Sequence, residues 1–121
     1  VSSLPDFELQ IEIARAASKK TDAPTVILDV GDVLAITGWF VVTSGTSARQ
    51  VRAIAEGIEE DVALGGGPKP LRIEGLEDGT WVLVDYGDVV VHIFDDETRA
   101  FYDLERLWRD VPSTVWEPKF G

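Results

Sequence analysis

The sequence predicts an α+β domain: a mixed β-sheet of about five strands with helices packed on it. Three observations carry that reading. Apolar runs at strand length alternate with helical periodicities in the order helix, strand, strand, helix, strand, strand, strand, helix. Two strands near residue 88 are close enough to form a tight hairpin, while earlier strands are separated by a helix and need a crossover. The chain has 121 residues, the size of one domain.

Each element has a local cause. Residues 6–20 read as a helix: Pro5 and Asp6 suit its start, Leu9, Ile13, Ala16 and Ala17 recur at helical spacing, and Lys19 and Lys20 favour its end. Residues 24–30 and 39–44 read as strands. The piece between, 31–38, reads as a loop or as a short strand around 33–36. Ser47 follows a Ser44-Gly45-Thr46 turn and is a natural N-cap for a helix running to about Leu64. Val51, Ile54, Ala55, Ile58 and Val62 form one face of it, and Gly65-Gly66-Gly67-Pro68 stops it. Residues 71–74 are a short strand and 75–79 a turn-rich loop. Strands 81–86 and 89–94 are joined by Gly87-Asp88, a hairpin signal. Asp95, Asp96 and Glu97 open a last helix with Phe101, Leu104, Leu107 and Trp108 on its apolar face. The expected organisation is one domain over 1–109 and an extended tail over 110–121.

Composition excludes several function classes. Without Cys the chain has no disulfide framework, thiolate metal site or cysteine nucleophile. The 11 Lys and Arg residues face 22 acids, a net charge of −11. Such a chain repels exposed nucleic acid, whose binders neutralise phosphates with Lys and Arg, and is steered towards basic proteins. The first 20 residues carry Asp6, Glu8 and Glu12 and lack the apolar stretch of a secretory signal. No apolar run approaches membrane-spanning length.

The hairpin also carries a surface. A two-residue turn at Gly87-Asp88 puts Val82, Val84, Tyr86, Val89, Val91 and Ile93 on one face, the core side. The other face holds Trp81, Leu83, Asp85, Val90, His92 and Phe94. Large aromatics mixed with an acid and a histidine suit a protein interface, although a covering helix would make the same Trp81 core. From Glu74 to Glu97 there are eight acids and no Lys or Arg.

Catalytic patterns are weak. Ser44-Gly45-Thr46-Ser47 lacks the P-loop and dinucleotide fingerprints. Asp85 and Asp88 flank a turn at a three-residue offset, not the i, i+2 spacing from which two strand carboxylates project together onto a metal. His92, the only histidine, has no partner that a motif identifies. No cofactor is expected. The competing class is a nucleotidyltransferase-like enzyme or nucleotide binder using Ser44–Ser47 and the aspartates. A third is a homodimeric scaffold.

A set of segments, in order and spacing, resembles one family. They are Ser44-Gly45-Thr46-Ser47, Arg49-Gln50-Val51, Glu74-Gly75, Trp81, the run Asp85 to His92, Glu97, Arg99, Tyr102, Leu104, Glu105, Leu107 and Trp108. Together they resemble the ribosomal silencing factor (Iojap) family over roughly residues 8–109. The resemblance implies a nucleotidyltransferase-like fold without catalytic acids. It implies a cytoplasmic bacterial translational repressor that binds the large ribosomal subunit through ribosomal protein L-fourteen and sterically blocks the small subunit. It implies little direct nucleic-acid contact, and homodimers when free in some members. Trp81 matches the family's binding tryptophan, with Asp85 and Tyr86 on the same surface. The partner-binding set is therefore Trp81, Leu83, Asp85, Tyr86, His92 and Phe94. The chain departs from the family at Thr37-Gly38-Trp39-Phe40, where the second position is commonly an aspartate and the third a Tyr or Cys.

Overall fold

A computed structural model describes residues 8–117. The elements run α1 Leu9–Ser18, β1 Thr25–Asp29, β2 Trp39–Gly45, α2 Ala48–Leu64, β3 Arg72–Glu74, β4 Trp81–Asp85, β5 Val89–Asp95, α3 Asp96–Tyr102, α4 Leu104–Leu107 and β6 Ser113–Trp116. The expected start of the first helix at Asp6 lies outside the described residues.

The strands form one six-stranded mixed sheet, ordered β3-β4-β5-β2-β1-β6. Only β2 and β5 run parallel; α2 lies within the connection that the parallel pair requires. The sequence predicts about five strands, and the sixth comes from the tail. Residues 113–116 pair antiparallel with β1, Val115 opposite Val26, and the Pro112 carbonyl accepts from Asp29 N–H at 2.9 Å. The free edge of β1 supplies the ladder partner, which no local pattern in the tail encodes.

The two faces of the sheet differ. α1 and α2 cover one face and build the main core with Ile27, Val41, Val82, Val84, Val89, Val91 and Ile93. α1 contributes Ala14, Ala16 and Ala17 to that core. α2 buries the predicted face, Val51, Ile54, Ala55, Ile58 and Val62. Its start is secured by Ser47 Oγ, which accepts from Gln50 N–H at 3.1 Å. Its end is a Schellman turn: Gly67 N–H donates to the Val62 carbonyl and Gly66 N–H to that of Ala63. Gly66 stands at φ +86, where glycine alone is unstrained.

The opposite face is only partly covered. Val26, Leu28, Val30, Val42 and Phe94 form a smaller core there, closed by Phe40, Trp81, Leu104 and Trp108. The single helix expected to follow residue 95 breaks in two. Asp103 adopts φ 49, a left-handed conformation that a short polar side chain tolerates. The break turns Leu104 and Trp108 onto the sheet but leaves Phe101 and Leu107 at 79% and 74% exposure. The expected apolar face of that helix is thus half core and half surface. Segment 31–38 is a loop, closed by Val30 N–H to the Gly38 carbonyl at 3.0 Å.

Candidate functional site

The β4–β5 hairpin has the predicted register. Trp81 pairs with Phe94, Leu83 with His92 and Asp85 with Val90. Tyr86 N–H donates to the Val89 carbonyl at 2.9 Å across the turn, and Gly87 takes φ +92. A positive φ at the first turn position alone fits a type II′ turn.

The predicted site residues separate into four groups. Trp81, Leu83 and Asp85 are half-buried on the partly covered face. Phe94 lies on that face too but is 0% exposed. The rings of Trp81 and Tyr102 stand over it, centroids 5.0 and 6.5 Å away, so it supports the surface and does not present one. Tyr86 belongs to the main core, where the register puts it, rather than to the surface that the resemblance implies. Burial and then Glu59 push its hydroxyl up to about 12. It therefore stays protonated when folded, a contribution to stability present below pH 10 and lost as pH rises through about 12.

His92 is 6% exposed and is held by Trp81, whose Nε1–H donates to Nδ1 at 3.2 Å. That bond leaves the ring proton on Nε2. Phe40 meets the imidazole edge-on at 4.7 Å. Burial lowers the imidazole pKa from 6.5 to about 4, so the ring is neutral at physiological pH. Unfolded, the same ring takes up a proton near pH 6.5, so stability is full above that value and lost as pH falls towards 4. Urea unfolding should show a loss of about 2 kcal/mol between pH 7 and pH 5 from this group. The imidazole proton shifts of the folded protein should not titrate in that range. A ring titrating near 6.5 would contradict the buried placement.

Asp85 has structural work in the strand. Its Oδ1 accepts from Gly87 N–H at 2.8 Å and its Oδ2 pairs with Arg72 at 3.2 Å. Asp95 caps α3 by accepting from Thr98 N–H at 2.8 Å. Space also brings cations to the segment that has none in sequence: Arg72 reaches Glu74 and Asp85, and Arg52 donates to the carbonyls of Leu76 and Glu77. The remaining acids Glu77, Asp78, Asp88, Asp96 and Glu97 stay exposed.

Two concavities flank Trp81 and His92. On the helix side Trp81 lines a cavity of about 490 Å³ with Thr98, Phe101 and Tyr102. Neither Phe101 nor Tyr102 was in the expected site; both stand exposed on α3 just before the break at Asp103. On the other side a groove of about 420 Å³ runs between loop 31–38 and strands β3 and β4, with Phe40, Leu83 and His92 in its lining and Ile36 and Leu71 exposed. Its loop wall is the segment the sequence left open. In the Ser44–Ser47 turn, Ser47 caps α2 and Ser44 Oγ accepts from Arg99 at 3.0 Å. Among the described residues no group of three or more His, Asp or Glu is placed to hold a metal. No helix among them is long and apolar enough to cross a membrane.

This fold has known counterparts. The family model described as ribosomal silencing factor during starvation matches residues 4–119. The chain belongs to the ribosomal silencing factor family. It is 39% identical to ribosomal silencing factor RsfS of Halalkalibacterium halodurans, over 90% of this chain and 92% of that one. It is 33% identical to the mouse protein named mitochondrial assembly of ribosomal large subunit protein 1, over 85% of this chain but 45% of that longer one. A crystal structure of a Bacillus halodurans protein superposes with a TM-score of 0.72 at 36% identity, covering 88% of this chain and 94% of that one. At this identity and TM-score the chain shares its fold with that structure.

Proposed function

We propose that this protein represses translation without catalysis, by binding ribosomal protein L-fourteen on the large subunit and standing where the small subunit must land. Family membership supplies the ribosomal setting. The observation that carries the docking site is the partly covered sheet face: half-buried Trp81 beside exposed Phe101 and Tyr102, with exposed acids around it. Aromatics in such a setting are typical interface anchors, and a rim of one charge speeds encounter with a partner of the other. The name of the mouse relative, which refers to the ribosomal large subunit, supports the choice of subunit.

The nucleotide-enzyme reading has no geometric support. The Ser47 hydroxyl is committed to capping, Asp85 to the turn and Arg72, and His92 to Trp81. The docking reading is tested by co-sedimentation with isolated large subunits, and by association kinetics as salt is raised. The protein should travel with large subunits, and association should slow several-fold between low and physiological ionic strength. Glu77→Gln with Asp78→Asn should slow it further, whereas Asp85 is unsuitable for this test because its carboxylate holds the turn. Failure to co-sediment overturns the proposal; a salt-independent rate removes the steering.

A further inference from the structure

The indole of Trp81 is held by two kinds of contact. Phe94 and Tyr102 pack against its ring, with centroids 5.0 and 4.8 Å away and planes tilted by 36° and 47°. Contacts of that kind keep the ring in place without fixing the direction of its N–H. The bond to His92 Nδ1, at 3.2 Å, fixes that direction. The sheet register builds the pair: Trp81 stands opposite Phe94, so His92, two residues back along β5, is its diagonal neighbour on the same face. The imidazole is restrained in turn from β2, on the other side of β5. Phe40 meets it edge-on at 4.7 Å, and Trp108 meets Phe40 at 5.5 Å and 87°.

Histidine is a poor residue here for stability alone. With Nδ1 accepting, Nε2 carries the proton, and that N–H is sealed from solvent with no partner among the described residues. An orphaned buried donor is costly, and an apolar side chain of similar size would avoid it. Such a side chain could not accept from the indole. We propose that His92 is a positioning residue of the docking face: it makes no contact with the partner and acts through Trp81, whose indole it holds in one orientation. The inference rests on the docking reading above and deepens it. It also divides the expected contact set, because Trp81 meets the partner while His92, at 6% exposure, stays behind it. A ring already oriented in the free protein has less freedom to lose on binding.

Two substitutions of nearly equal shape isolate the acceptor. His92→Asn keeps one, because its Oδ1 is bonded to Cγ as Nδ1 is, and His92→Leu has none. The leucine variant should be the more stable of the two, since asparagine buries a polar amide. Its affinity for isolated large ribosomal subunits, per folded molecule, should nevertheless fall about fivefold, the loss of one hydrogen bond, whereas His92→Asn should stay within about twofold of the parent. A role confined to packing would rank stability and affinity in the same order. In NMR spectra the Trp81 indole N–H, identified by its absence in Trp81→Phe, should move in His92→Leu and stay near its parent position in His92→Asn. On a Trp81→Phe background, His92→Leu should weaken binding no further, because the residue acts through the indole. If His92→Leu binds like the parent, or weakens Trp81→Phe further, the inference is overturned while the docking reading stands. An indole signal unmoved in His92→Leu overturns it without reference to the ribosome. If the parent does not bind large subunits at all, both fall.

Discussion

Replacing Trp81 with alanine should weaken binding to isolated ribosomal protein L-fourteen by about 2 kcal/mol or more, the range of an interface hot spot. The same change should also cost stability, because the indole has two structural duties. It stands 5.0 Å from Phe94 and 4.8 Å from Tyr102, and its N–H satisfies His92 Nδ1. Being half-buried, it should cost less than the roughly 3–5 kcal/mol of a fully buried tryptophan. Trp81→Phe separates the duties. It keeps a ring over Phe94 and leaves Nδ1 without its donor, so stability should fall by about 1–3 kcal/mol with a smaller loss of affinity than in Trp81→Ala. Denaturant titration and binding per folded molecule distinguish the outcomes. Unchanged binding in the folded fraction of Trp81→Ala would make the residue scaffold and remove it from the docking face.

The second large effect is expected at Arg99. Its side chain is 13% exposed and ties the helical layer to the sheet. Its guanidinium donates to the Pro24 carbonyl at 2.7 Å, to Ser44 Oγ at 3.0 Å and to both oxygens of Glu105 at 3.4 and 2.9 Å. Charge-assisted bonds in a forked geometry are the strong ones, and a shielded carboxylate left behind is destabilising. Arg99→Met should therefore cost about 2–3 kcal/mol, somewhat below a fully buried pair because Glu105 is one-third exposed. Arg99→Lys should recover little, since an ammonium cannot reproduce the fork. The exposed pair Lys19–Asp61 gives the contrast: at 2.9 Å it is as short, yet Lys19→Ala should cost at most about 0.5 kcal/mol. Thermal or denaturant unfolding of the three variants decides it. A small loss at Arg99 would mean that α3 and α4 are held by their apolar contacts alone.

Sequence reasoning was strongest where the cause is local. Ser47, the spacing from Val51 to Val62 and the glycines after Leu64 specify α2 within one stretch of chain. The Gly87-Asp88 turn specifies the hairpin register and hence both faces, including Tyr86 in the core. What was not legible depends on distant partners. Residues 113–116 become a strand only because β1 offers an edge. Phe94 looks like a surface aromatic until α3 brings Tyr102 across it. The helix break at Asp103 has no glycine or proline to announce it, and Phe101, expected on the buried face of one continuous helix, stands exposed just before it. The acids of segment 74–97 look unopposed in sequence, whereas Arg72 reaches Glu74 and Asp85 in space and Arg52 reaches the backbone carbonyls of Leu76 and Glu77. The groove combines both limits: its floor is predictable from strand alternation, but its wall is a loop with no periodicity.

The central claim is repression by occlusion, and subunit joining followed by light scattering tests it most directly. Isolated large subunits are titrated with this protein before small subunits are added, then washed free of it at high salt and assayed again. Occlusion predicts inhibition that saturates at about one copy per large subunit, disappears after the wash and is absent when the subunits are already joined. Inhibition at far lower ratios that persists after complete removal would mean that the ribosome had been modified, and would contradict the account.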